Sequence, residues 1–250
     1  MSDEIYTKCP VTEAIFDVRI TLPKDFSYTV FEEYYDDIKN EFPNKEVGVE
    51  FESSIAFKKD EDPIIDTKRG PIGFHFKSTD GKRIIQFKKN GFTFNKLKPY
   101  DNWEVFSGEA KKHFEKFIEI CKPVSIDRLG LRYINRLEIP LPILDFQQYI
   151  TTFPNISSGL PQVMADFFMR LVIPEKSEEP SNIAIITQTI DRKALIKDIL
   201  PLIFDIDIYR IIKFGVEDKE KIYKFFEEFR NYKNRIFNES ITEKTKSLIR

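Results

Sequence analysis

Short segments of this chain recur in the same order at a nearly constant separation, and such self-similarity restricts the fold more than any single motif does. Pro10-Val11-Thr12 returns as Pro123-Val124-Ser125, and Val18-Arg19 returns as Leu131-Arg132. Phe31-Glu32-Glu33-Tyr34 returns as Phe146-Gln147-Gln148-Tyr149, Phe42-Pro43 as Phe153-Pro154, and Phe114-Glu115-Lys116-Phe117 as Phe226-Glu227-Glu228-Phe229. This order predicts a tandem duplication, with residues 9–121 and 122–238 as the two copies and 239–250 as a C-terminal tail. No linker separates the copies, because the apolar pattern of the first runs through Lys122-Pro123 into the second. A single pseudo-symmetric domain over 1–250 is expected.

Each copy reads as the same run of elements. Ala14, Phe16, Val18 and Ile20 alternate with Ile15, Asp17 and Arg19, the period of a half-buried strand. Ser27 stands where it could cap a helix carrying Val30, Phe31, Tyr34, Tyr35 and Ile38, ended by Pro43. Strands follow at 49–58, 71–78, 82–89 and 91–97, with Asp80-Gly81 and Asn90-Gly91 suited to two-residue hairpin turns. Asp101 and Glu104 have capping-box spacing before a helix whose stripe is Trp103, Phe106, Ala110, Phe114, Phe117 and Cys121. In the second copy a strand over 124–139 precedes a short helix over 144–152. Strands near 164–173, 182–190 and 202–212 then lead to a helix over 218–238 with Ile222, Phe225, Phe229, Tyr232 and Ile236 inward. Lys58 to Arg69 and Pro174 to Pro180 read as charged, solvated hairpin loops. The expected class is α+β, a tandem β-α-β(3-4)-α unit with antiparallel sheets and helices on one face. Its element order is similar to the TATA-binding-protein-like topology, and that likeness concerns topology alone.

Charge and histidine content remove several function classes. With 39 Lys and Arg against 41 Asp and Glu, the chain lacks the basic excess of a dedicated nucleic-acid binder. Only two histidines exist, His75 and His113, so zinc sites of His and Cys and Ser-His-Asp arrangements have little to draw on. His113 falls in the run Lys111-Lys112-His113-Phe114, which reads as a solvated helix position. His75 lies between Phe74 and Phe76 and points away from the face they share. No GxGxxG or Walker pattern occurs, and nothing in the sequence calls for a cofactor. Cys9 and Cys121 are far apart, no secretory leader is recognisable, and no apolar run approaches the roughly 20 residues that span a bilayer. A cytoplasmic protein with reduced thiols and no membrane contact is expected.

Several segments carry a family resemblance: Cys9-Pro10-Val11-Thr12-Glu13-Ala14, Pro99 to Glu104, Arg128 to Arg136 with its Arg-Tyr-Ile-Asn-Arg core, and Phe237 to Thr242. Together they resemble a sporadically distributed prokaryotic protein family. The resemblance spans nearly the whole chain, with Cys9 where a second proline is commoner. It implies no activity, cofactor or catalytic residue.

The site candidates come from strand parity. Arg128, Arg132 and Arg136 share one face with Gly130 and Ile134, while Leu129, Leu131, Tyr133 and Leu137 share the other. Arg19 corresponds to Arg132, so both copies place arginine on the side away from the helices. Asp17, Asp205 and Asp207 have matching parity. Cross-strand ion pairs are one reading of this stripe, and an anion-binding site is the other. The expected function is a non-enzymatic binding or assembly module whose exposed sheet face docks a protein partner, encoded nearby or a second copy, or holds an anionic ligand. The ligand-binding candidates are Arg19, Arg128, Arg132 and Arg136. A rival reading is an enzyme acting on a phosphate- or carboxylate-bearing substrate with Asp205 or Asp207 as base. A weaker one is a single-stranded nucleic-acid binder stacking bases on Tyr133, Tyr209 and phenylalanines.

Overall fold

The computed structural model describes residues 6–27, 29–56, 64–143, 145–162, 164–176, 181–192, 197–215 and 217–250, with backbone alone for 49–56 and 64–72. Among the described residues, nine strands build one antiparallel sheet. They are β1 (Val11–Thr21), β2 (Asn44–Ala56), β3 (Ile64–Lys77), β4 (Arg83–Lys88), β5 (Gly91–Leu97), β6 (Ser125–Pro140), β7 (Phe168–Pro174), β8 (Ile183–Ile190) and β9 (Ile199–Phe214). Their order across the sheet is β2-β3-β4-β5-β1-β6-β9-β8-β7. The helices are α1 (Val30–Ile38), α2 (Trp103–Cys121), α3 (Lys219–Ser240) and α4 (Glu243–Ile249). The α+β class with a large antiparallel sheet is as the sequence predicts.

Alternation explains why β1 lies in the middle. Ala14, Phe16, Val18 and Ile20 are buried on one face, where an aromatic core forms. Phe31 of α1 meets Phe87 at 5.2 Å between ring centroids, Phe117 of α2 meets Phe87 at 4.9 Å, and Phe226 of α3 stacks on Phe16 at 3.8 Å. Cross-strand register puts Phe16, Phe87, Phe92 and Phe94 on that same face, so α1, α2 and α3 all cover one side of the sheet. No helix among the described residues is long and apolar enough to cross a membrane.

Several boundaries differ from expectation for local reasons. Helix α1 begins at Val30 with Thr29 at its N-cap, because the Ser27 hydroxyl lies 2.8 Å from that of Thr29 and caps no helix. Asn102, held extended, is the N-cap of α2 and accepts from the Val105 N–H at 2.8 Å, while Asp101 pairs with Lys96 at 3.3 Å. The β4–β5 turn is Lys89-Asn90. Gly91 is already in the strand, where a Cβ would lie 2.1 Å from the Val18 carbonyl oxygen. Residues 78–82 connect β3 to β4, a connection of five residues rather than a two-residue hairpin, with Gly81 at φ +69°. The helix expected over 144–152 is only a 3-10 turn, Phe146–Gln148. Residues 64–69, expected in a loop, begin β3, and the rest of that loop at 58–63, like 177–180 of the second, lies outside the described residues. On α3 the buried position is Phe226, whereas Phe225 stacks on Phe214 at the sheet's end. Within 239–250, α4 buries Thr245 and Ile249, and the Thr245 hydroxyl donates to the Tyr149 carbonyl at 2.7 Å.

His113 is buried, contrary to its reading as a solvated helix position. It sits on the edge of the α2 stripe under Phe42 and Phe94, with Nδ1 2.6 Å from the Tyr34 hydroxyl of α1 and, among the described residues, no partner for Nε2. Burial, reinforced by Lys112 and Arg83, pushes the imidazole down to about 3. The unfolded chain therefore binds a proton near pH 6.5 that the folded protein refuses, so this contribution to stability is complete above that pH and is lost as pH falls toward 3. At pH 5 the loss is about 2 kcal/mol. Urea melts of wild type and His113→Leu should converge as the pH is lowered from 7 to 5; parallel curves would exclude His113 as the acid-sensitive group.

Candidate functional site

The face of the sheet opposite the helices is built by three cross-strand rows. One runs Lys88, Gly91, Arg19, Arg128, Ile211; the next runs Gln86, Thr93, Asp17, Gly130, Tyr209; the third runs Asn95, Ile15, Arg132, Asp207. Side chains directly opposite in register point to the same side, so residues distant in sequence converge. Between the rows lies a concavity of about 480 Å³ walled by Arg19, Lys88, Arg128, Arg132, Asp17 and Asp207. Gly130 helps to open it. A Cβ there would lie 2.8 Å from Nη1 of Arg128, whose guanidinium lies across the glycine.

Each arginine has a carboxylate. Arg128 donates to Asp17 at 3.0 Å, stands 3.7 Å from Asp207, and covers the Tyr209 ring at 4.5 Å. Arg19 donates through Nε to the same Asp17 oxygen at 3.2 Å. Arg132 forms a bidentate pair with Asp205 at 2.9 and 2.6 Å. Asp205 is the diagonal neighbour of Arg132, whereas Asp207 is its register partner. Arg136 does not wall the concavity; it lies further along β6, 3.6 Å from Asp191 and 3.8 Å from Glu138. Three of the four predicted arginines thus come together.

Lys88 is the group that sequence reasoning passed over. It donates to the Thr93 hydroxyl at 2.9 Å, and that hydroxyl donates on to Asp17 at 2.8 Å. Among the described residues no carboxylate oxygen lies within ion-pair distance of its ammonium. Burial pushes the Lys88 ammonium down, with Arg19 adding to the effect and Asp17 opposing it. Burial likewise pushes the Asp207 carboxyl up against the pull of Arg128 and Arg132. A signal for Lys88 existed in the alternation of Ile84, Gln86 and Lys88 with the buried Ile85 and Phe87. What was missing was the pairing that places β5 beside β1 and β4 beside β5.

Two other candidates separate. Tyr133 is buried on the helix side and Tyr209 lies on the open side, so they cannot form one base-stacking surface. His75 is only half-buried, with Phe74 and Phe76 inward as parity predicts, and it does not wall the concavity. Among the described residues no three His, Cys, Asp or Glu side chains are grouped so as to hold a metal ion. No protein-family model matches the sequence, and no curated protein matches it.

Proposed function

We propose that the protein is a non-enzymatic binding module, built as a duplicated unit of TATA-binding-protein-like topology, whose uncovered sheet face receives an anionic group between Arg19, Lys88, Arg128 and Arg132. The duplication is supported by the two meanders, β2-β3-β4-β5 ending beside β1 and β7-β8-β9 ending beside β6. It is supported too by Phe16, which contacts Phe114 of α2 at 5.9 Å and Phe226 of α3 at 3.8 Å, the residues that the repeat makes equivalent.

Lys88 carries the binding reading. Among the described residues four cations and two carboxylates wall the concavity, and Asp205, bidentate on Arg132 from beside it, brings the carboxylates to three; the cation left over is Lys88, half-buried with the Thr93 hydroxyl as its partner. Such a cation destabilises the empty protein and gains when an anion arrives. Lys88→Met is accordingly expected to raise the melting temperature of the ligand-free protein, by about 2 to 4 °C for each kcal/mol of relieved penalty. It should also abolish the upward shift that small phosphates or carboxylates give wild type. No shift of wild type with any anion, or a Lys88→Met variant that melts lower, would return the stripe to a purely structural role.

The enzyme reading keeps one observation in its favour, because burial displaces both Asp207 and Lys88 from their ordinary ranges in the same concavity. Asp205 is occupied by Arg132, so Asp207 is the base to test. Turnover of a phosphate- or carboxylate-bearing substrate, lost in Asp207→Asn with anion binding retained, would favour this second reading.

A further inference from the structure

On the helix side of the sheet, across from the arginines, a separate cavity of about 470 Å³ lies between the start of α2, the second half of α3 and the strands β1 and β6. That volume falls within the range of roughly 300 to 1,000 Å³ typical of small-molecule sites. Its floor departs from its surroundings. The inward side chains of β6 are Leu129, Leu131, Tyr133, Asn135, Leu137 and Ile139, so a phenol and a carboxamide occupy positions that are otherwise aliphatic.

The polar accounting of that floor leaves two groups over. Asn135 is only 3% exposed, and its Nδ2 donates to the Phe204 carbonyl at 3.0 Å and the Tyr133 carbonyl at 3.4 Å. Both amide hydrogens are used, and Oδ1 remains an acceptor at the cavity that Asn135 lines. The hydroxyls of Tyr100 and Tyr133 lie 2.8 Å apart, and burial pushes both phenols up, so both keep their protons. One proton joins the pair. With Tyr133, the deeper ring, donating to Tyr100, the Tyr100 proton is available to the cavity.

Two aromatic rings line the cavity beside this donor and acceptor, Phe237 with one face stacked on Phe204 at 5.9 Å and Trp103 with the Arg230 guanidinium 5.7 Å from its centroid, so each has one face left to offer. The indole is fixed because its N–H donates to Glu227 at 2.8 Å. The residues α3 contributes, Arg230, Lys233, Asn234, Phe237 and Asn238, follow the i, i+3, i+4, i+7, i+8 spacing of one helix face. Charge on the lining balances, Arg230 and Lys233 against Asp101 and Glu104, with Arg230 and Glu104 3.6 Å apart. A strongly charged ligand is not called for.

We propose that this cavity binds a planar nitrogen heterocycle of the nucleobase class, presenting an N–H donor beside an acceptor. The N–H donates to Asn135 Oδ1, the acceptor takes the Tyr100 proton, and Trp103 and Phe237 flank the ring. The site is independent of the arginine concavity, so either can fail alone.

Trp103 is the single tryptophan of the chain, and Cys9, the less buried of its two thiols, also lines the cavity, so two local reporters exist. Purified protein is titrated with adenosine, guanosine, uridine and cytidine, following Trp103 emission and the rate of Cys9 alkylation. Caffeine, a purine with every N–H methylated, serves as the ring-only control. At least one nucleoside should give a saturable emission change and protect Cys9, with caffeine tenfold weaker or worse. Asn135→Leu and Tyr100→Phe should each weaken that nucleoside about tenfold. Should Asn135→Leu fail to fold, Tyr100→Phe decides alone. Absence of any response at millimolar nucleoside, caffeine binding as tightly as the nucleosides, or full affinity in folded Tyr100→Phe would overturn the proposal.

Discussion

Phe16→Ala should lower the stability of the whole chain by about 3 to 5 kcal/mol, the usual range for truncating a buried phenylalanine. Phe16 has no exposed surface and stands where the helices of both halves meet. Its ring stacks on Phe226 at 3.8 Å and touches Phe92 and Phe114 at 6.2 and 5.9 Å. β1 hydrogen-bonds to β5 on one side and to β6 on the other, so a cavity at Phe16 weakens the junction of the two halves. Stability of a domain is typically about 5 to 15 kcal/mol, and a loss of this size moves the urea midpoint far. One transition with an unchanged slope is expected. Two separated transitions would show that the halves unfold independently and would remove the single-domain reading.

Arg132→Met is expected to cost about 2 to 3 kcal/mol. Breaking a buried ion pair from one side typically costs about 3 to 5 kcal/mol, because the abandoned charge stays inside. Here the Arg132 side chain keeps 43% of its surface exposed, which lowers the figure, while that of Asp205 keeps only 12%. The carboxylate would lose both of its short bonds and remain beside Asp207. Asp205→Asn in the Arg132→Met background should recover most of the loss, since the stranded charge is then gone. A single variant as stable as wild type would mean that water solvates Asp205 adequately and that the pair contributes nothing. The same pair bears on ligand binding: of the four cations at the concavity, Arg132 is the most strongly engaged and Lys88 the least.

The open face was partly legible because strand parity is a local property. Period two along 14–20, 128–137 and 204–208 is enough to say that Asp17, Arg19, Arg128, Arg132, Asp205 and Asp207 point one way and that their aliphatic neighbours point the other. The same logic assigns the stripe of α2 and most of that of α3, since a helix repeats its buried face every three or four residues. Where single residues decide an outcome, parity is silent. Phe226 rather than Phe225 is buried because of how α3 rolls onto β1 and β6, a rotation of one position that leaves the sequence pattern unchanged. His113 was misread because its partner Tyr34 lies on α1, 79 residues earlier, and no local rule couples the two.

From its sequence alone this chain determines the class of fold, the long helices and most strands to within a few residues, and most of the side chains that face the core, because those follow from propensity and periodicity within short windows; the early start of β3 at Ile64 and the burial of His113 do not follow. Tertiary structure alone decided the order of strands in the sheet, and with it which distant residues become neighbours. The registers of β4 on β5 and β5 on β1 bring Lys88 and Thr93 to Arg19 and Asp17; the register of β6 on β9 gives Arg132 the diagonal Asp205. Packing of α3 across α2 likewise gathers Tyr100, Trp103, Asn135 and Phe237 around one cavity. These are contacts of high sequence separation, set by how whole elements bury area against one another, and a local pattern carries no record of them.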